Sequence, residues 1–174
     1  MKKEKIYFAS DFHLGSPNYE ESLKREKKII SWLNEIEVDA KKIYLLGDIF
    51  DFWFEYDKVV PKGFVRLLAK LADLVDKGIQ IHFLVGNHDM WMRDYLEKEI
   101  GLKVHFKEFI FEENNQLIFI GHGDGVGKGD YKYKILKSLF TSNICRWFFS
   151  RLHPNFGLRL GQAWSNKSRK KQEK

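Results

Sequence analysis

The sequence predicts a layered α/β fold, with central mixed sheets flanked by helices and a helical segment added near the carboxyl-terminal end. Three observations support this prediction. Short apolar runs alternate with amphipathic helical patterns through the first 106 residues, two further apolar runs then form a hairpin pattern, and the chain becomes basic, aromatic and helical after residue 129. Strands that alternate with helices at this spacing are typical of βαβ units. The hairpin adds antiparallel pairing, so we expect a mixed sheet rather than a purely parallel one.

The first three elements form a strand–helix–strand unit. Residues 5–10, KIYFAS, predict a short buried strand that ends at Asp11. Residues 19–36 repeat apolar side chains at helical spacing among many charges, which is the pattern of an amphipathic helix. Residues 42–47, KIYLLG, predict the second strand.

The alternation continues through the middle of the chain. Residues 62–77 predict a second helix, and Gly78 just beyond it is a stop signal because glycine readily adopts the left-handed conformation. Residues 79–86 predict a third strand and residues 102–106 a fourth. A hairpin is expected between 109–112 and 116–120, around Glu113-Asn114-Asn115.

The last third of the chain has a different character. Residues 131–152 have a helical pattern dense in aromatic and basic side chains, HPNFG at 153–157 interrupts it, and a second basic helical stretch follows. We therefore divide the chain into a core, residues 1–128, and a cap segment, residues 129–174. Helices that simply pack on the core are the alternative to a functional cap.

Length and composition restrict the class of protein. With 174 residues, 44% of them hydrophobic, the chain is long enough for one domain with a sizeable core. Its single cysteine, Cys145, cannot form an internal disulfide, which suits a reducing, cytoplasmic setting. No apolar run approaches about 18 residues, and the first residues lack the apolar segment of a signal peptide, so we expect neither a transmembrane helix nor a secretory leader.

The net charge of +6 is unevenly distributed. Residues 1–124 carry 18 Lys and Arg against 22 Asp and Glu, whereas residues 125–174 carry 12 Lys and Arg against Asp130 and Glu173. A basic third on a mildly acidic body indicates an anionic partner, such as a phosphorylated substrate, anionic lipid or nucleic acid. The alternative is a solvated basic face.

Residues 119–130, FIGHGDGVGKGD, contain five glycines and at first suggest a phosphate-binding loop. A P-loop requires G-x-x-x-x-G-K-[ST]. With Gly127-Lys128 as the G-K pair, the first glycine position is occupied by His122 and the hydroxyl position by Gly129. The P-loop is therefore excluded, and His122 needs another explanation.

Four polar clusters follow the predicted strands. They are Asp11-Phe12-His13, Gly47-Asp48-Ile49-Phe50-Asp51, Gly86-Asn87-His88-Asp89 and Gly121-His122-Gly123-Asp124. In open α/β sheets, ligands bind at the carboxyl ends of the strands. We therefore expect these clusters to converge on one edge, although they are far apart in sequence.

The residue types in these clusters share one chemistry. Asp and Asn offer oxygen ligands and His offers nitrogen, a mixed set that suits a first-row divalent ion such as Mn²⁺, Fe²⁺ or Zn²⁺. Asp48 is the natural bridge between two ions, because a carboxylate has two oxygens. The remaining histidines are expected to be structural, since His82 and His105 lie inside strands and His153 precedes a proline.

The ordered set D-x-H, G-D-x-x-D, G-N-H-D and G-H-G-D resembles the calcineurin-like metallophosphoesterase superfamily. Within it, GNHDMWM, GHGDGVGKGDYKYK and WFFSRLHPNFGLRLGQAWS are similar to the UDP-2,3-diacylglucosamine pyrophosphatases of the lipid A pathway, in the versions found in Bacteroidetes-type bacteria. The resemblance covers essentially the whole chain. It implies a layered metallophosphoesterase fold with a helical cap insertion, and two divalent metal ions, with Mn²⁺ preferred over Fe²⁺ or Zn²⁺.

The resemblance also implies a ligand set, residue by residue. Asp11 and His13 would hold the first metal ion, and Asp48 would bridge the two. Asn87 and His122 would hold the second ion.

Other matching residues would act around these ligands. His88 would join Asn87 as a catalytic residue and stabilise charge on the attacked phosphorus or the leaving oxygen. Asp51, Asp89 and Asp124 would orient the ligands or cap helices. The substrate contacts that the resemblance implies are Asp130, Ser165, Asn166, Lys167 and Lys170.

One motif of the family is missing. The superfamily closes its metal site with a late G-H-x-H, whereas no histidine follows His153 in this chain. The resemblance then leaves each metal ion one histidine short and the final core strands absent. We therefore expect weak metal binding and poor activity from the 174-residue form.

The activity that the resemblance implies is hydrolysis of the pyrophosphate bond of UDP-2,3-diacylglucosamine to UMP and 2,3-diacylglucosamine 1-phosphate. The apolar side of the cap segment would take the acyl chains, and its Lys and Arg would face phosphate or anionic headgroups. The expected location is cytoplasmic and peripheral on the inner membrane.

Two alternatives to this activity stay open. One is another metallophosphoesterase, such as a nucleotide phosphodiesterase or a nuclease that binds nucleic acid, although the aromatic segment suits lipid better. The other is a non-catalytic binding module with the same fold.

Overall fold

Four parallel strands form the sheet at the centre of the structure. In the computed structural model, which describes residues 3–124 and 131–172, they are β1 (Lys5–Ala9), β2 (Ala40–Leu45), β3 (Gln80–Leu84) and β4 (Lys103–His105). They pair in chain order, and each pair is parallel. The four predicted strands are confirmed, with ends shifted by one to a few residues.

Helices α1 (Tyr19–Ile36) and α2 (Val65–Asp76) connect these strands. Helix α1 has the predicted bounds, and the side chain of Asn18 caps its first turn, as asparagine commonly does. The two helices contact each other, and the buried carboxylate of Glu26 accepts a hydrogen bond from Leu67 N at 3.0 Å. Their apolar side chains join those of the sheet in one core.

A hairpin forms a second sheet. Strands β5 (Phe109–Glu113) and β6 (Gln116–Ile120) pair antiparallel. Asn114 and Asn115 join them in the left-handed region, with φ of 53° and 61°, which asparagine tolerates and a tight hairpin turn requires. The predicted hairpin is confirmed. The predicted mixed sheet is wrong, because in the described part of the chain the antiparallel pairing is confined to the hairpin.

Aromatic rings explain why the hairpin stays separate. Tyr44 of β2 stacks on Phe111 of β5 with ring centroids 4.9 Å apart, and His105 of β4 stacks on Phe109 at 4.0 Å. Two adjacent lysines of β2 form ion pairs with Glu113. Packing of one sheet on the face of the other buries rings that pairing at an edge would leave in water.

Three helices make up the last part of the chain: α3 (Tyr131–Thr141), α4 (Asn143–Ser150) and α5 (Pro154–Gln172). The prediction of one helical run over 131–152 is wrong, because the Ser142 hydroxyl accepts a hydrogen bond from Cys145 N at 3.2 Å and starts a new helix. Serine is a strong helix cap. The expected break at 153–157 is also too long, since proline is favoured in the first turn of a helix and α5 begins there. The boundary between core and cap segment stays a prediction.

Aromatic contacts attach these helices to the loops after β2 and β3. Trp91 Nε1 donates a hydrogen bond to the carbonyl of Phe140 at 2.7 Å. The ring of Phe149 lies 4.6 Å from the rings of both Phe54 and Trp91. A π-helical turn at Leu96–Ile100, which the sequence did not predict, precedes β4. None of the described helices is long and apolar enough to cross a bilayer.

Candidate metal centre

The loops that follow β1, β2, β3 and β6 meet at one edge of the two sheets. They carry the metal-type side chains that the sequence singled out, and neighbouring members lie within 4 Å of one another. The expected convergence of the four clusters is therefore observed. The set consists of Asp11, His13, Asp48, Asn87, His88 and His122.

Cross-loop hydrogen bonds hold the backbone of this edge in an unusual shape. Asp11, His13 and Asp48 all have left-handed φ values, of 58°, 43° and 55°, which cost energy in residues other than glycine. Asp11 N donates to the Gly47 carbonyl at 3.1 Å, and His13 N donates to the Asp48 carbonyl at 2.9 Å. The Arg25 guanidinium of α1 donates to three carbonyls of the loop after β1. These bonds keep the strained residues directed at one point.

Two glycines allow the loops to approach this closely. A Cβ on Gly86 would lie 2.3 Å from Asp48 Oδ1, and a Cβ on Gly47 would lie 2.7 Å from His122 Nδ1. Contacts that short are not sustained by any real side chain, so the sequence needs glycine at both positions.

The first ligand group contains Asp11, His13 and Asp48. Their ligand atoms all lie within 4.8 Å of one another. His13 Nε2 is 3.9 Å from both Asp11 Oδ1 and Asp48 Oδ2.

The second ligand group shares Asp48 with the first. His122 Nε2 lies 3.4 Å from Asp48 Oδ2 and 3.2 Å from Asn87 Oδ1. On the other side of the ring, His122 Nδ1 is 2.7 Å from the Leu46 carbonyl, which can only accept a hydrogen bond, so Nδ1 carries the proton. The ring therefore presents Nε2 to the centre. Asp48 Oδ1 accepts a hydrogen bond from His88 N at 2.9 Å, which leaves Oδ2 facing both groups.

Asp48 and His122 shift each other's ionisation. Burial by itself lowers the pKa of His122, but the hydrogen bond and charge of Asp48 outweigh burial and raise that pKa to about 9. Burial by itself raises the pKa of Asp48, but His122 and His88 bring that pKa below its ordinary value. Asp48 thus favours the protonated form of His122, and His122 favours the ionised form of Asp48.

His88 lies against both groups and is almost fully buried. Its Nε2 is 3.9 Å from Asp48 Oδ2, and its ring meets the edge of His13 with centroids 4.8 Å apart. Its Nδ1 is 3.0 Å from the Asp51 carbonyl and 2.9 Å from the Ser165 hydroxyl. The Nδ1 atom of His88 is thus hydrogen-bonded to groups that do not belong to either ligand group.

The other aspartates of the clusters support the loops. Asp89 is fully buried and accepts hydrogen bonds from Gly86 N at 2.7 Å and Ile49 N at 3.0 Å. Burial, reinforced by the charge of Asp48, raises the pKa of Asp89 to about 7.

Two further aspartates belong to the same clusters. Asp51 Oδ1 is 3.7 Å from His13 Nδ1, and ligand atoms of these two residues and His88 all lie within 4.8 Å of one another. Asp124 pairs with Lys137 of α3 at 2.6 Å. The orienting roles of the three aspartates stay predictions.

The predicted substrate contacts are only partly visible. The Ser165 side chain is buried against His88, and Asn166 is exposed on α5. Asp130 lies outside the described residues, as do the side chains of Lys167 and Lys170.

An apolar cavity of about 520 Å³ opens beside His88 and Asn87. Its walls are aromatic and aliphatic side chains of α3, α4 and α5 together with the loops after β2 and β3. The aromatic run of α3 and α4 was evident in the sequence, whereas the loop residues that face it were not predicted. The repeated aromatics of DFWFEY and DMWM were the available signal. These loop residues are Phe52, Trp53, Met90 and Trp91.

The donor set fits divalent metal ions. Two ligands of one ion, each about 2.1 Å from it, lie at most about 4.2 Å apart. The distances from His13 to its two partners and from His122 to its two partners, 3.2–3.9 Å, fall inside that limit. The shared carboxylate and the neutral oxygen and nitrogen donors are those that Mn²⁺, Fe²⁺ and Zn²⁺ accept.

Comparison with known proteins gives consistent matches. Residues 4–105 match the family model described as calcineurin-like phosphoesterase. A protein of Porphyromonas gingivalis named UDP-2,3-diacylglucosamine hydrolase is 42% identical over 99% of this chain and 66% of its own length. A protein of the same name from Aliivibrio fischeri is 27% identical over 84% of this chain and 59% of its own length. The chain thus spans slightly less than two thirds of the first relative and still less of the second.

A solved protein of unknown function from Aquifex aeolicus also aligns with this fold. The alignment covers 78% of this chain and 70% of that protein, with 19% identity and a TM-score of 0.47.

Proposed function

The chain belongs to the calcineurin-like phosphoesterase family, and we propose that it hydrolyses the pyrophosphate bond of UDP-2,3-diacylglucosamine to give UMP and 2,3-diacylglucosamine 1-phosphate. One observation carries this proposal. A single carboxylate, Asp48, faces two ligand groups, and the centre it joins opens beside an apolar cavity of about 520 Å³. The relatives named UDP-2,3-diacylglucosamine hydrolase support the choice of substrate.

The proposed ligands of two divalent ions follow the two groups. Asp11, His13 and Asp48 would hold one ion, and Asp48, Asn87 and His122 the other, with Mn²⁺ preferred and Fe²⁺ or Zn²⁺ as alternatives. When bound, such ions neutralise charge on phosphoryl oxygens and lower the pKa of water to near neutrality.

His88 acts on the reacting group in this proposal. With Nδ1 donating to the Asp51 carbonyl, Nε2 faces the centre. When Nε2 also carries a proton, it donates a hydrogen bond to an oxygen of the attacked phosphoryl group or to the leaving oxygen and stabilises its negative charge. Water adds to the phosphorus nearest uridine, and the bond from that phosphorus to the bridging oxygen breaks. The bridging oxygen leaves with 2,3-diacylglucosamine 1-phosphate, and the proton lost by water passes to solvent.

The cavity supplies the binding site for the acyl chains. Its apolar walls release water when they contact hydrocarbon, at about 25 cal/mol per Å² of apolar surface removed from water. Asp130, Ser165, Asn166, Lys167 and Lys170 are the proposed contacts of the polar part of the substrate.

The helices α3–α5 would also face the membrane. Ile144, Trp147 and Phe148 of α4 are all more than half exposed, and Arg151 lies over the Trp147 ring at 4.9 Å. Exposed aromatics beside basic residues favour attachment to an anionic bilayer surface. We propose that the protein is cytoplasmic and binds peripherally to the inner membrane.

The decisive experiment measures UMP release in the presence of Mn²⁺ from UDP-2,3-diacylglucosamine, with UDP-N-acetylglucosamine and bis-p-nitrophenyl phosphate as comparison substrates. Because each ligand group lacks the late histidine, we expect slow UMP release from the acylated substrate and still less from the unacylated sugar nucleotide, which cannot fill the cavity. Hydrolysis of bis-p-nitrophenyl phosphate without UMP release would favour another phosphoesterase activity. A protein that neither retains metal nor cleaves any of the three would be a binding module.

A further inference from the structure

Helix α5 turns a row of small residues toward the core. Among the α5 residues whose side chains are described, three are buried, and they lie four residues apart: Gly157, Gly161 and Ser165. This spacing places all three on one face of the helix. The contact face of α5 is therefore narrow and ends in a hydroxyl group.

The two glycines fix the distance between α5 and the loop after β2. A Cβ on Gly157 would lie 2.3 Å from the Tyr56 hydroxyl oxygen, and a Cβ on Gly161 would lie 2.2 Å from the Phe52 ring. The helix backbone thus rests directly on both rings. The same loop contains Asp51, whose carbonyl lies 3.0 Å from His88 Nδ1.

This approach brings the Ser165 hydroxyl to within 2.9 Å of His88 Nδ1. A carbonyl cannot donate, so Nδ1 carries the proton that Asp51 accepts, and the hydroxyl oxygen of Ser165 accepts a share of the same proton. The two acceptors hold the imidazole, and both Ser165 and His88 are more than 90% buried.

We propose that Ser165 is a positioning residue for His88: its hydroxyl, delivered by α5 across Gly157 and Gly161, fixes the imidazole plane so that Nε2 faces the metal centre. This inference rests on the proposed function only in taking His88 to act on a phosphoryl group. Its consequence is that the chemistry at phosphorus depends on α5 lying against the loop after β2, even for a substrate that never touches α5.

A substrate contact and a positioning role predict different kinetics. If Ser165 only bound the polar part of the substrate, its removal would raise KM for UDP-2,3-diacylglucosamine and leave a small phosphodiester unaffected. If Ser165 positions His88, its removal lowers kcat for both substrates, because an interaction needed in the transition state is lost.

The test compares Ser165→Ala, Ser165→Thr and Gly161→Ala with the wild-type chain loaded with Mn²⁺, using bis-p-nitrophenyl phosphate. We expect Ser165→Ala to lower kcat by about 10- to 100-fold with little change in KM, and Thr, which keeps the hydroxyl, to restore most of it. Gly161→Ala should resemble Ser165→Ala, because the added methyl group pushes α5 away from Phe52. Ser150→Ala is the matched control, since the Ser150 hydroxyl donates only within α4, to the Trp147 carbonyl.

A second measurement does not need activity. In protein labelled with nitrogen-15 at histidine, assigned with His88→Gln, the Nδ1 resonance of His88 should move in Ser165→Ala and stay in place in Ser150→Ala. An unmoved resonance, or an unchanged kcat on bis-p-nitrophenyl phosphate, would overturn the positioning role. A lowered kcat on the diester in a protein that releases no UMP would reject the proposed substrate and keep the positioning role.

Discussion

Asp48 and His122 meet at 3.4 Å, Oδ2 to Nε2, although the carboxylate follows a strand of the parallel sheet and the imidazole follows a strand of the hairpin. The same oxygen lies 3.9 Å from His13 Nε2. One carboxylate, on the loop after β2, therefore lies against donors from two other loops.

Asp48→Ala should remove both metal ions, since each proposed ligand group loses its shared member. Loss of several kcal/mol of charge stabilisation corresponds to a decrease of about a thousandfold in kcat/KM. Metal content after desalting, measured by mass spectrometry beside UMP release, checks this. Asp57→Asn, which breaks an exposed pair with Arg93, is the control and should retain wild-type metal content. Two bound equivalents in Asp48→Ala would contradict the shared-ligand assignment.

Gly86→Ala should damage the centre without removing any ligand. Its Cβ would lie 2.3 Å from Asp48 Oδ1, so either the loop after β3 or the carboxylate must move. We expect at least about a tenfold loss of metal affinity. The control is Gly78→Asn, because Gly78 has a left-handed φ of 81° and open space around it, and asparagine tolerates that conformation. Equal Mn²⁺ affinity in the two variants would show that the loops are not as tightly apposed as their distances indicate.

Stability should depend on pH through His82. Burial, helped by the charges of His105, Lys103 and Lys42, lowers the pKa of His82 to about 4 from an ordinary 6.5. Below pH 6.5 the unfolded chain therefore takes up a proton that the folded protein refuses, and stability is lost as the pH falls from 6.5 to 4. The loss should be on the order of 1–2 kcal/mol, because the ring is partly exposed.

The check is urea denaturation between pH 7.5 and 4.5, for wild type and His82→Phe. Phenylalanine keeps the ring between Tyr44 and Phe109 but cannot be protonated. The difference in unfolding free energy between the two proteins should shift in favour of the variant as the pH falls. Parallel curves would mean that His82 titrates normally in the folded state.

Membrane attachment should depend on the exposed rings of α4. Replacing Trp147 and Phe148 by serine removes apolar surface that would enter the interface, so we expect flotation with vesicles containing anionic lipid to weaken by about tenfold. Added salt should weaken wild-type binding too. Leu117→Ser on the hairpin, where leucine is also exposed, is the control. Failure of the wild type to float at low salt would count against a membrane-facing segment.

The elements of the fold were predictable because their signals are local. The bounds of α1 follow from its apolar spacing, and the hairpin turn from two adjacent asparagines. The signal for the break between α3 and α4 is also local, since Thr141-Ser142-Asn143 contains the Ser142 cap of α4. The position of the hairpin could not be predicted from local sequence. It packs on the face of the parallel sheet instead of extending the sheet because its rings stack on rings of β2 and β4.

The sequence indicated which residues gather at the candidate site, but it did not indicate which of them contact one another. Motif order along the chain identified Asp48, Asn87 and His122, because each follows a strand that ends at the same edge. The contact between Ser165 and His88 joins residues 77 apart in sequence. It depends on the close approach that two glycines permit, and no pattern in the sequence specifies the distance between α5 and the loop beneath it.

The face-to-face packing of hairpin and parallel sheet has a consequence for how the molecule is held together. No strand pairing in the described residues links the two sheets, so stacked rings and ion pairs must do so. Asp48 follows a strand of the parallel sheet and His122 follows a strand of the hairpin, so a cation bound by both would link the two sheets. Such binding would stabilise the docked hairpin by RT ln(1 + [L]/Kd), where [L] is the free concentration of the cation and Kd its dissociation constant. The strands of the parallel sheet pair in chain order, whereas the hairpin contacts this sheet across a larger separation in sequence. Metal binding would therefore favour the state in which the hairpin is docked and His122 is in place beside Asp48.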